Sequence, residues 1–233
     1  MKISKIIAVL TLSVCMIGNL TISAFAAEAA PEQTTQINEN SNLTEKFYNA
    51  PNDTIVCYME GVPIRKDQVN ENGLVDASAF YARTTRGAGV PSSNYVTIPS
   101  GYNEAIVKTY LSAPRYGQTN TIYYLKHLHG AQLASSIETG DAQALTGLIL
   151  CFVPNAQVPG FMISLDSAYK AGVASNIRKR TNQGNAVRVN VASSTYGVFY
   201  GVFDWSGRVI ETSKNYTAGT KETVKSIVYA NGK

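Results

Sequence analysis

Charge is scarce in this chain. Asp, Glu, Lys and Arg make up 15% of its 233 residues, against roughly 25% in an average soluble domain, so polarity comes mainly from Tyr, Thr, Ser and Asn. Catalytic signatures are missing as well. The sequence contains no G-x-S-x-G, no H-E-x-x-H, no G-x-x-x-x-G-K-[ST] and no G-x-G-x-x-G. The glycine-rich fragment Arg86-Gly87-Ala88-Gly89 lacks a strand-to-helix context and reads as loop. Past the N-terminal region no stretch of 18 or more uninterrupted apolar residues occurs, which leaves no candidate membrane-spanning helix there. A collagen, a coiled coil and a wholly disordered chain are excluded by 45% hydrophobic residues without a short period.

What is present at the start is an export layout. Lys2 and Lys5 precede the apolar run Ile6 to Gly18, and Ala24-Phe25-Ala26 supplies a small-residue cleavage site. Residues 1–26 are therefore expected to be a signal peptide, and the protein to be secreted and extracellular. Leu12-Ser13-Val14-Cys15 is a poorer fit to a lipidation signal, because Val14 stands where a small residue is usual. Without Lys2 and Lys5 the chain holds 18 basic and 16 acidic residues. That near-balance argues against a nucleic-acid binder. The charge is uneven, however, with 10 Lys and Arg against 4 Asp and Glu over 166–233.

Residues 27–52 are rich in Glu, Gln, Asn, Thr and Ala and poor in large apolar side chains, and are expected to form a flexible leader or propeptide. Thr54 to Tyr58 and Val62 to Arg65 then read as two strands joined at Glu60-Gly61, with Pro63 pointing to an edge. The stretch Thr84 to Gly101 reads mostly as loop. A short helix is expected over Glu104 to Leu111, closed by Pro114, whereas Thr121 to His129 fits a strand or the entry to a helix.

Between Asp141 and Asp166 lie 24 consecutive uncharged residues. Pro154 to Gly160 divides them into two apolar arms, and extending each arm outwards predicts helices over Ala131 to Val153 and Phe161 to Arg180, a helical hairpin with an apolar tip. About 12 residues per arm span only some 18 Å, short of the roughly 30 Å hydrocarbon core. The hairpin is then either the hydrophobic centre of the domain or a device that enters one leaflet. In the second case Leu148, Phe161 and Met162 are the lipid-facing anchors, and Lys170, Arg178, Lys179 and Arg180 contact anionic head groups.

From Val187 the period changes to two. Val187, Val189 and Val191 alternate with Arg188 and Asn190, then Tyr196 to Trp205, Arg208 to Ser213 and Lys221 to Tyr229 follow as strands, with Ser206-Gly207 as a turn. The expected fold is α+β: short N-terminal strands, the central apolar helical hairpin and a small C-terminal antiparallel β-sheet, in one domain over 53–233.

Candidates for chemistry are few. His127 and His129 are the only histidines, so a metal site needs carboxylates from elsewhere that no spacing identifies, and neither a metal nor a cofactor is expected. Cys57 and Cys151 survive export; they fit either a disulfide closing a long loop, worth about 4–5 kcal/mol, or two inert thiols, which their apolar flanks favour. Cys151 with one of the histidines is a weak nucleophile and base pair for the same reason. Tyr200 with Asp204-Trp205 forms either an aromatic glycan platform or a hairpin packed on a core.

The segment Ser175-Asn176-Ile177-Arg178-Lys179-Arg180-Thr181-Asn182-Gln183-Gly184-Asn185-Ala186-Val187-Arg188-Val189, running into Tyr196-Gly197-Val198-Phe199-Tyr200 and Phe203-Asp204-Trp205-Ser206-Gly207, with the export leader and apolar hairpin before it, resembles the large heat-labile secreted bacteriocins of Gram-positive bacteria, the geobacillin-like group. The resemblance covers roughly the last hundred residues and rests on no diagnostic motif. It implies an unmodified, non-enzymatic antibacterial protein and carries no catalytic residue across. Three functions follow as expectations: a secreted antibacterial or membrane-active protein meeting an anionic membrane surface, a module binding the cell wall or a glycan, and a hydrolase with an unrecognised site.

Overall fold

A computed structural model describes residues 42–85, 93–112, 117–141, 148, 165–215 and 221–231. All of them lie in one compact unit, Ile37–Lys233. The elements run α1 (Glu45–Asn49), β1 (Ile55–Met59), β2 (Val62–Arg65), a 3-10 turn (Lys66–Gln68), α2 (Ala77–Thr85), β3 (Ser93–Thr97), β4 (Glu104–Leu111), β5 (Thr119–Leu125), α3 (His127–Thr139), α4 (Leu165–Lys170), α5 (Val173–Thr181), β6 (Val187–Ser194), β7 (Gly197–Asp204), β8 (Val209–Asn215) and β9 (Lys221–Ala230). Helices with antiparallel sheets make the fold α+β.

One sheet has seven strands in the order β3-β8-β9-β4-β5-β6-β7, and every pairing is antiparallel. Alternation along its strands sorts side chains between two faces. Ile106, Tyr123, Leu125, Val187, Val189, Tyr200 and Val202 share a buried cluster with Leu133, Ala134 and Ile137 of α3 and Val173, Ala174 and Ile177 of α5. The residues between them on the same strands face the other way. Phe199, Phe203 and Ala192 pack under the β1–β2 hairpin against Val56, Met59 and Ile64, while Ala105, Val107, Ile122 and Tyr124 meet Trp205 and Ile210. Helices, sheet and hairpin form three layers around a core on each face of the sheet.

The hairpin is fastened by polar groups. Glu60 and Gly61 both take positive φ, 51° and 80°, which closes β1 onto β2 in two residues, Met59 facing Val62. A left-handed glutamate is unusual. Its carboxylate, 8% exposed, lies 2.5 Å from Nε of Arg188 on β6. Further along, the Gln118 side chain binds both backbone groups of Tyr58: Tyr58 N donates to Oε1 at 2.8 Å, and Nε2 donates to Tyr58 O at 2.6 Å.

Several expectations change here. Glu104–Leu111 is strand β4, not a helix, because Ile106, Val107, Thr109 and Tyr110 suit a pleated surface and the strand is paired on both sides, by β5 and β9. Thr121 to His129 is both things in turn, strand to Leu125 and helix from His127. The leader expected over 27–52 overlaps folded structure: Leu43 and Phe47 are buried with Phe199 in the core. The domain therefore begins before residue 53, with Asn42 already hydrogen-bonded to β7. Part of the predicted loop 84–101 is strand β3, at the edge of the large sheet.

The predicted helical hairpin is broken where the structure describes it. Its first helix starts at His127 and stops at Thr139, since Gly140 turns left-handed at φ 67°. Its second helix is interrupted by Gly172, φ 79°, which separates α4 from α5. The apolar tip lies outside the described residues. The C-terminal strands form as expected but not as a small separate sheet: β9 sits near the middle of the large one, and Ser206-Gly207 does not join neighbours, because β7 and β8 lie far apart in the order. Among the described residues no helix is long and apolar enough to cross a membrane.

Candidate functional site

The loop after the 3-10 turn is held by its own polar groups. Oδ1 of Asn70 accepts the N–H of Asn72 at 3.0 Å and of Leu74 at 2.8 Å, the side chain mimicking a turn. Val69 and Val75 pair across the loop, and Asp76 N donates to Gln68 O at 2.9 Å. Asp76 then caps α2 through the N–H and hydroxyl of Ser78, at 2.9 and 2.8 Å from its Oδ1. Strand β7 anchors the loop, since Tyr200 N donates to Gly73 O and Val75 N to Tyr200 O, each at 2.8 Å.

Between this loop and α5 lies a groove of about 440 Å³, within the size range of small-ligand sites. Asp67, Asp76 and Asn176 line it with Asn70 and Gln68, over an apolar strip that includes Leu74 and Val75. Among the described residues no lysine, arginine or aromatic ring contributes to the lining. Asn176 donates one of its two amide N–H groups to Gly172 O at 3.1 Å, one turn back on α5.

A second polar centre joins β4 to α3. Glu104, wholly buried, accepts the N–H of Lys126 at 2.6 Å on Oε1, and Nδ1 of His129 lies 2.5 Å from Oε2. Such a carboxylate orients an imidazole and tops the N-terminal end of the helix, where the macrodipole favours negative charge. His127 is exposed two residues earlier, so the two imidazoles do not converge. Among the described residues no group of three or more His, Cys, Asp or Glu is arranged to hold a metal.

The predicted membrane-contact residues are scattered. Leu148 is buried, 4% exposed, in the cluster between the helices and the sheet; it is a core residue in this conformation and not a lipid-facing anchor. Phe161 and Met162 lie outside the described residues. Lys170 Nζ pairs with Asp166 at 2.9 Å along α4. Nη2 of Arg178 reaches Glu138 of α3 at 2.6 Å and Ser135 at 2.9 Å, and Arg180 Nε reaches Asp204 at 2.9 Å. The hydrogen bond from Arg178 holds the Glu138 carboxyl below its ordinary range. Lys179 is exposed. Three of the four basic side chains therefore already meet a carboxylate, Lys170 one turn back on its own helix and the two arginines at Glu138 and Asp204, which are remote in the chain and so escape a sequence reading by charge clusters.

Tyr200 is fully buried and Trp205 is 8% exposed, its Nε1 donating to Val209 O at 2.8 Å; they are core residues, not a surface glycan platform. Cys57 is a free, buried thiol whose pKa burial pushes well up. Cys151 lies outside the described residues, as does any pairing of it with a histidine. The groove lining escaped the sequence reading. Its one local signal was Val69-Asn70 to Gly73-Leu74, a turn flanked by valines.

Comparison of the chain with protein-family models, with curated proteins and with solved structures finds no match to any of them.

Proposed function

We propose that this is an exported protein that works by binding at the bacterial cell envelope, with antibacterial action as the outcome. The observation that carries the reading is the groove between the 69–77 loop and α5, a built, ligand-sized concavity on a scaffold of hydrogen-bonded backbone. The export layout of residues 1–26 supports an extracellular place of action. Binding is tested by sedimenting the purified protein with isolated cell walls. Co-sedimentation is expected, and recovery of all the protein in the supernatant overturns the reading.

A second reading keeps the membrane as the target. It is favoured by the 24 uncharged residues between Asp141 and Asp166, whereas the burial of Leu148 and the ion pairs of Arg178 and Arg180 weigh against the contacts first assigned to it. Sedimentation with anionic and with neutral liposomes separates the two. Salt-sensitive pelleting with anionic vesicles and none with walls puts the membrane first.

A further inference from the structure

Resting on the reading that keeps the membrane as target, we propose that the end of the large sheet where β4, β8 and α3 begin is the surface through which the protein meets an anionic lipid bilayer. Three chain segments converge there by direct contact. Lys126 donates its N–H to Glu104 and places its ammonium 5.7 Å from the Trp205 ring centroid, beside Gly207. Trp205 Nε1 donates to Val209 O at 2.8 Å, and Ile98 N to Arg208 O at 3.0 Å. The turn after Ile98, closed by Tyr102 N on Pro99 O, brings Tyr102 against Tyr229, ring centroids 5.7 Å apart. Around this circuit stand exposed apolar side chains, Tyr102 at 50%, Leu128 at 47% and Val209 at 38%.

The charge available beside them is of one sign. Among the described residues Lys126 and Arg208 have no carboxylate partner, and His127 is exposed next to Leu128. The carboxylates around this end are already committed: Glu104 to the Lys126 N–H and His129, Glu60 to Arg188, and Asp204 to Arg180. The local field therefore favours an anion. Leu128 is the second residue of α3, Val209 the first of β8, and Tyr102 sits on a turn, so the apolar groups stand at element ends and do not line a groove. Side chains placed in this way enter the head-group layer while the cations stay at phosphate depth, and tyrosine suits that boundary. A hydrated wall polyanion would pair the cations but give Leu128 and Val209 no apolar phase to enter. The basic cluster of α5 is the poorer candidate, because Arg178 and Arg180 already meet Glu138 and Asp204.

The test is sedimentation of the full chain with vesicles of phosphatidylglycerol and phosphatidylcholine, and with phosphatidylcholine alone, for the parent, Arg208→Gln, Leu128→Ser and Lys179→Gln. All three side chains are exposed, so melting temperatures equal to the parent's are expected and confirm that each variant is folded. The parent is expected to pellet with the anionic vesicles, less so as salt is added. Arg208→Gln should weaken that partitioning about fivefold, the weight of one cation near an anionic surface. Leu128→Ser should weaken it about fivefold at low and moderate salt alike, through lost apolar burial. Lys179→Gln should leave it unchanged. A parent that pellets with anionic vesicles and is weakened by neither Arg208→Gln nor Leu128→Ser, or equally by Lys179→Gln, overturns this surface and leaves the membrane reading standing. A parent that pellets with no vesicle overturns both. Pelleting with isolated walls alone, abolished by Arg208→Gln, assigns the cations to a wall polyanion and overturns the lipid.

Discussion

A Cβ placed on Gly197 would lie 2.4 Å from the carbonyl oxygen of Asn42. That contact is part of a strap laid along the outer edge of β7: Val198 N donates to Asn42 O at 2.7 Å, Thr44 N to Tyr196 O at 3.0 Å, and Asn42 Nδ2 spans Asn72 O and Val198 O at 2.7 and 2.8 Å. Edge strands invite unwanted pairing unless covered, and here the chain covers its own edge with residues 42–44 and then buries Leu43 and Phe47 behind it. Gly197→Ala is expected to lift the strap and destabilise the fold by about 2–3 kcal/mol, since the clash is with backbone and φ is 130°. Deleting residues up to 52 should cost more, through two emptied core positions of a Leu and a Phe. Urea unfolding compares the three proteins; a truncated chain as stable as the full one refutes the strap.

Gln118 acts as a strand would, giving a donor and an acceptor to the two backbone groups of Tyr58. Gln118→Leu keeps the approximate volume and removes both of these hydrogen bonds to Tyr58. An expected loss is about 2–3 kcal/mol, because the groups it served stay buried. Hydrogen exchange should show the amide protons of β1 and β2 opening selectively; a uniform change over the whole sheet would place the effect elsewhere.

Stability should fall in alkali. Burial raises the pKa of Cys57 above its ordinary 9.0 and of Tyr123 and Tyr200 above 10.0. Well below pH 9.0 these groups are protonated in both folded and unfolded chains and their contribution is intact. Once the pH passes the ordinary values, the unfolded chain releases protons that the folded one retains, so the free energy of unfolding declines with rising pH. Urea titrations from neutral pH to about pH 11 read this slope, and Tyr123→Phe should flatten it. The same burial makes Cys57 unreactive toward thiol reagents until the protein is denatured; rapid labelling of Cys57 in the folded protein contradicts the placement.

Leu148 and Lys179 separate core from surface. Leu148→Ala is expected to cost about 2–4 kcal/mol as a buried truncation, and Leu148→Asp to prevent cooperative unfolding altogether. Lys179→Glu should leave the melting temperature within a degree or two, as exposed substitutions do. If Leu148→Asp melts like the parent chain, the side chain is not in the core and the membrane reading regains its first anchor.

Periodicity was readable wherever one face of an element decides its fate. Val187, Val189 and Val191 identified β6, and the short strands around Glu60-Gly61 were legible from their turn. Elements whose identity depends on distant neighbours were not. Glu104–Leu111 has a spacing compatible with a helix, but β9, more than a hundred residues later, pairs along it and makes it a strand. Phe47 reads as an isolated aromatic in a polar leader until Phe199 supplies its partner, ring centroids 5.8 Å apart. The groove was invisible for the same reason, since its walls come from the 67–77 region and from Asn176.

By itself, then, the sequence determined what local chemistry can determine: the alternation that makes β6 a strand, and the turn at Glu60-Gly61 with the short strands on either side of it. These follow from interactions within a few residues of each other. Tertiary structure decided which strand sits beside which, that Arg178 and Arg180 spend their charge on Glu138 and Asp204, and that Leu148, Tyr200 and Trp205 face inward. Each of those outcomes rests on a contact between residues remote in sequence, where the free energy of burial and pairing overrides local preference.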